Sequence, residues 1–161
     1  YLHDTYPAFA AIPVVKTSNF IGDTMDMAAA SHFEEVVLVG HIGKLVKLAG
    51  GIMNTHSREG DCRMELLTAF AVKIGVELPV AQQILTCVTT EEAVRILDSC
   101  GKRVPVMEAA MERIFYYLNK RAGGKMQVEC LMYANEFGEL AKSGGVEEWF
   151  TLLAQEQEQQ I

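Results

Sequence analysis

Hydrophobic positions change their period several times along the chain. Apolar and β-branched residues run together in "AIPVVKT" (11–17), which predicts a short buried strand. Ser18 and Asn19 then offer N-caps for a helix through Ala30. "EVVLVG" (35–40) is the clearest strand, and its apolar residues on both faces predict a parallel central position. From His41 onward the period becomes helical, with Ile42, Leu45, Val46, Ala49, Ile52 and Met53 on one face. After the polar stretch "NTHSREGD" (54–61), a second helix should bury Met64, Leu67, Phe70, Ala71 and Ile74.

Pro79 opens a short helix. "TTEEAVRIL" (89–97) opens another, with Thr89 and Glu92 spaced as a capping box and Gly101 as its stop. Pro105 begins the strongest helix, carrying Met107, Ala110, Met111, Ile114, Phe115 and Leu118, and Gly123–Gly124 end it. "KMQVECLMYA" and "ELAKS" flank the turn "NEFG" (135–138) as two strands of a hairpin. The segment 146–161 reads as an acidic tail helix anchored by Trp149, Phe150 and Leu153. This order predicts one α/β layered domain over 1–161, with a small mostly parallel sheet flanked by helices and a late β-hairpin.

Composition narrows the function classes. A net charge of −7 argues against a nucleic-acid partner. No apolar run approaches the roughly 18–20 residues that cross a bilayer, so no membrane role is expected. Cys62, Cys87, Cys100 and Cys130 form no CxxC pair and are read as buried, reduced thiols of a cytoplasmic protein. The first residue, Tyr1, already lies in a helical pattern, which is read as part of a longer protein.

The candidate chemistry gathers between 36 and 63. "VVLVGHIGKLVKLAGG" has the outline of a strand, a glycine turn and a helix. The GxxxxGK[ST] phosphate loop is absent, because only two residues separate Gly40 from Gly43 and Leu45 follows Lys44. The GxGxxG dinucleotide pattern fails as well. Glycines after a strand still permit close backbone approach to a ligand. His41, Lys44 and Lys47 are spaced by three and should form one row. Residues 41–63 hold four Lys or Arg against two acids, in an acidic chain. A local basic patch of that size suits a small, multiply anionic ligand. "NTHSR" (54–58) adds donors, acceptors and a titratable ring. Asp61 and Arg63 could cap the next helix or hold the loop.

"VVKTSNFIGDTMDMA" and "EVVLVGHIGKLVKLAGGIMNTHSREGDCRMELL" resemble the CbiD family, cobalt-precorrin-5B C(1)-methyltransferases of the anaerobic corrin route. The resemblance runs from Val14 to Leu67 and continues more weakly to the strand near Val128. It implies methyl transfer from S-adenosylmethionine to ring carbon 1 of a cobalt-containing tetrapyrrole, giving cobalt-precorrin-6A. The cobalt would belong to the substrate, so no protein-bound metal is expected. An upstream half of the same enzyme is implied, and a homo-oligomer is possible.

On this reading Gly40, Gly43 and Asn19 approach the methyl donor. Lys44, Lys47, Thr55, Ser57, Arg58 and Arg63 meet the carboxylate-rich substrate. His56, with His41 second, accepts the proton released on methylation. Two other readings remain, the first of which uses the same glycine turn and basic row. One is a non-catalytic binding domain for an anionic tetrapyrrole or nucleoside. The other is a scaffold whose tail helix mediates oligomerisation.

Overall fold

Alternation along two neighbouring strands sets up both layers of the fold. The structure, a computed structural model, describes residues 1–7 and 14–158. Strand β1 (Glu35–His41) pairs in parallel with β2 (Gln127–Ala134), and β2 pairs antiparallel with β3 (Gly138–Lys142). The sheet is therefore small and mixed, in the order β1-β2-β3. The hairpin turns through Asn135–Phe137 into Gly138, whose φ of 68° places it in the left-handed region that glycine tolerates.

Val36 and Leu38 of β1, with Val128, Cys130, Met132 and Ala134 of β2, face the main core. Val37, Val39, Leu131 and Tyr133 point to the opposite face. The main core is closed by helices α3 (Ile42–Leu48) and α7 (Arg103–Ala122), with α2 (Ile21–Ala30) alongside. Helices α4 (Arg63–Lys73), α5 (Leu78–Leu85) and α6 (Thr90–Ser99) build outward from α3 and α7. The other face is covered more thinly, by Tyr1, Leu2 and Tyr6 from α1 (Leu2–Thr5) and its flanks, and by Phe150 and Leu153 of α8 (Val146–Glu158).

Local signals placed most elements. Thr89 caps α6 by accepting the Glu92 N–H at 3.2 Å, and the Glu92 carboxylate accepts the Val88 N–H at 3.2 Å. Gly123, with φ 60°, ends α7. Five expectations need correction. Helix α2 begins at Ile21 after Phe20 with no side-chain cap, so neither Ser18 nor Asn19 caps it. Residues 14–17 make no strand pairing and Val15 is exposed, while 11–13 of that expected strand lie outside the described residues. Among the described residues β1 is an edge strand, and β2 holds the centre. The helix from His41 stops at Leu48, because Gly51 turns the chain at φ 80°, so Ile52 and Met53 lie in the following loop. Phe115 lies on the partly exposed side of α7.

The cysteines also divide. Cys87 and Cys130 are buried, Cys62 is half-buried and Cys100 is exposed. Burial in the sheet pushes the Cys130 thiol well above its usual range. Among the described residues no helix is long and apolar enough to cross a membrane.

Candidate functional site

Helix α3 begins where the chain leaves β1, and His41 sits at that junction. Its Nδ1 accepts the Gly43 N–H at 3.0 Å, so His41 acts as the N-cap. A neutral ring with Nδ1 used as acceptor carries its proton on Nε2. That Nε2–H donates to Glu91 Oε1 at 3.0 Å, and the same oxygen accepts the Asn135 N–H at 2.8 Å. Glu91 Oε2 is buried with no partner among the described residues. The Tyr133 ring meets His41 edge-on at 5.6 Å, and Tyr1 stacks on Tyr133 at 4.1 Å. His41 thus ties β1 to α6 and the hairpin, and both ring nitrogens are used within the protein. Glu91 lies 50 positions away, and no spacing rule in the sequence connects the two.

The two glycines of this turn have packing reasons to be glycine. A Cβ on Gly40 would lie 2.9 Å from Cγ and Cδ2 of Leu45. At Gly43 it would lie 3.1 Å from His41 Nδ1 and 3.6 Å from Thr90 Oγ1. The close approach expected for a methyl donor is made here by the chain itself. Asn19 is also engaged, since its Oδ1 accepts the Thr55 hydroxyl at 3.3 Å and its carbonyl accepts the Thr55 N–H at 2.9 Å. At this turn Gly40, Gly43 and Asn19 are all engaged within the protein.

The basic row splits between inside and outside. Lys44 is exposed and donates to the Ser18 carbonyl at 3.2 Å. Lys47, three residues on, is only 3% exposed. Its ammonium donates to the carbonyls of Thr55 at 3.1 Å and Gly60 at 2.9 Å. The expectation that Lys47 meets a substrate carboxylate is corrected: it clasps the 54–61 loop from beneath. The other side of the loop is pinned to the start of α2. Gly22 N–H donates to the Met53 carbonyl at 3.1 Å, and a Cβ on Gly22 would lie 2.7 Å from Met53 Cβ.

The loop tip faces solvent. Thr55 points inward and is buried, whereas His56, Ser57 and Arg58 are exposed. Asn54 Oδ1 accepts the His56 N–H at 3.2 Å, His56 Nδ1 accepts the Arg58 N–H at 3.1 Å, and the His56 carbonyl accepts the Glu59 N–H at 3.0 Å. Two successive side-chain-to-backbone turns thus shape the tip locally, above the base that Lys47 and Asn19 hold. The Arg58 guanidinium lies 3.8 Å from Glu59, beyond hydrogen-bonding reach. Arg63 is committed elsewhere, forming a two-point pair with Asp61 at 2.6 and 2.8 Å, and is not a free substrate contact. Clefts of about 440 and 410 Å³ indent the surface at the start of β2 and along β3, and neither is lined by a residue of the loop.

Hydrogen bonds from Arg63 hold the Asp61 carboxyl below the usual carboxylate range, and the Lys47 ammonium adds to this. A depressed folded pKa gives stability that is present above the unfolded value of about 3.9 and is lost as pH falls through the lower folded value. Asp61→Asn should therefore flatten the loss of stability in that acid window. The change should stay below about 1 kcal/mol, because the pair is partly exposed. Thermal melts of the variant and wild type across that window test it.

Fold and loop define an α/β domain with an outward-facing polar tip that carries His56 and Arg58, held between α3 and the start of α2. The family described as "CbiD, C-terminal domain" matches residues 54–144, from the first residue of that loop through β3, and the chain belongs to this family. A cobalt-precorrin-5B C(1)-methyltransferase of Ruminiclostridium cellulolyticum is 40% identical over 121 residues, covering 75% of this chain and 32% of the relative. The enzyme of the same name from Methanocaldococcus jannaschii is 36% identical over 119 residues, 74% of this chain and 33% of its own length. That of Clostridioides difficile is 33% identical over 138 residues, 84% and 34% respectively. The chain thus spans about a third of the length of these relatives. No solved structure matches it.

Proposed function

We propose that this chain is the C-terminal portion of an S-adenosylmethionine-dependent methyltransferase acting on ring carbon 1 of cobalt-precorrin-5B. The observation that carries the reading is the family match across 54–144, together with relatives of that one name. S-adenosylmethionine would supply the methyl group. The glycine turn of this portion is packed against its own side chains, so its contribution lies with the acceptor. Methyl transfer depends on alignment of donor and acceptor and on exclusion of water. A rigid loop offering cationic and hydrogen-bonding groups would orient a tetrapyrrole through its peripheral carboxylates. Lys44 and Arg58 are the exposed cations at this end of the molecule that fit such a task.

The test is turnover by the intact protein supplied with S-adenosylmethionine and cobalt-precorrin-5B. The expected product is heavier by one methylene unit and carries the new methyl group on ring carbon 1. Recovery of unchanged tetrapyrrole under conditions where it binds would leave the non-catalytic binding domain in place of the enzyme.

A further inference from the structure

Two histidines of this chain are held by the same device, and the comparison assigns a role to the exposed one. At His41 and at His56 the Nδ1 atom accepts the backbone N–H of the residue two positions on, at 3.0 and 3.1 Å. In both neutral rings the proton consequently resides on Nε2. At His41 that Nε2–H is satisfied by a carboxylate, Glu91 Oε1, at 3.0 Å. At His56 no described residue provides a partner for Nε2, and the ring is exposed at the loop tip.

We infer that His56 binds a carboxylate of the ligand through Nε2–H and is not the proton acceptor of the reaction. A proton acceptor needs a free lone pair. The only lone pair of the neutral ring is directed at the Arg58 N–H, and protonating it would undo the turn that forms the tip. A donor needs only what the geometry already presents. Arg58, two residues on, brings a guanidinium that pairs with Glu59 at 3.8 Å without a hydrogen bond, so its N–H groups remain for a ligand carboxylate that also meets the ring N–H. Beneath them the buried Lys47 ammonium and the Thr55–Asn19 bonds hold the loop in place before any ligand arrives.

This inference rests on the proposed function only for its ligand class, a tetrapyrrole with peripheral carboxylates. Two substitutions separate the functions of the ring. In His56→Asn the amide oxygen stands near the place of Nδ1 and can accept the Arg58 N–H, but the outward donor is lost. In His56→Gln the amide nitrogen reaches toward the place of Nε2, so the donor is kept.

The experiment titrates the intact protein with a metal-free polycarboxylate porphyrin, and measures kcat and KM with the methyl acceptor in parallel. The expected result is binding weakened about tenfold in His56→Asn and partly restored in His56→Gln, which keeps the donor but not the acceptor for the Arg58 N–H, with KM following binding and kcat little changed. Long-range 1H–15N correlation spectra should show the neutral ring protonated at Nε2.

Wild-type binding in His56→Asn would make the ring a turn residue only. A collapse of kcat in both variants at unchanged affinity would restore the proton acceptor. A protein that binds no polycarboxylate at all would also overturn the inference. If wild type binds the porphyrin but transfers no methyl group, the methyltransferase reading falls and the role of His56 stands.

Discussion

Replacing Lys47 by methionine should lower the unfolding free energy by about 2–4 kcal/mol and release the 54–61 loop. The ammonium makes two charge-assisted bonds, to the carbonyls of Thr55 and Gly60. Such bonds contribute roughly 1.5–3 kcal/mol each. Removing the cation also recovers the cost of burying it, which offsets part of that sum. Methionine keeps the apolar stem packed in the core and isolates the loss of the polar clasp. Two carbonyls, one of them on buried Thr55, are then left without their donor. Urea unfolding gives the stability change, and amide exchange over 54–61 locates it. The contrast is Lys44→Met, which removes one exposed bond to Ser18 and should stay within about 0.5 kcal/mol. Equal effects at the two positions would show that Lys47 is not a clasp.

The second large effect is expected at Gly40. Valine there would drive its Cβ to 2.9 Å from two atoms of Leu45 and 3.1 Å from a third. Leu45 is 1% exposed and cannot swing aside without disturbing the main core. Overpacking of this kind costs about 1–3 kcal/mol. Leu45→Ala alone should cost about 2–5 kcal/mol through the cavity that it leaves. The double variant should cost clearly less than the two together, because each change relieves the other. A denaturant double-mutant cycle measures the coupling. Strict additivity would mean that Gly40 is glycine for some reason other than Leu45, and would return the turn to the role of approaching a ligand.

Much of this architecture was legible along the chain because it depends on neighbours a few residues away. Thr89 and Glu92 could be paired on spacing, and so could the end of α7 at Gly123. Resemblance carried the family; of the two stretches that it relied on, "THSR" lies just inside the matched region and "GHIGKLVKLAGG" lies before it. The spacing of His41, Lys44 and Lys47 predicted one row, but His41 caps α3 and only Lys44 and Lys47 lie within it. It could not tell that one caps the helix, one meets solvent and one is buried, because a spacing of three still leaves a rotation of about 60° about the axis between successive members. The side of α3 that becomes interior is set by what packs there, and that includes a loop whose carbonyls attract an ammonium.

By itself, then, the sequence determined most of the periods, the cap of α6, the stop of α7 and the inner turns of "NTHSR", which close through hydrogen bonds between residues at most a few positions apart. Only the tertiary structure decided that β1 is an edge among the described residues, that Leu45 occupies the space over Gly40, that Glu91 completes His41 from 50 residues away, and that Lys47 faces inward. Those outcomes depend on which surfaces meet when distant segments pack. The free energy that selects them comes from burying apolar area and satisfying the polar groups trapped beneath it, and neither quantity exists until the chain has folded.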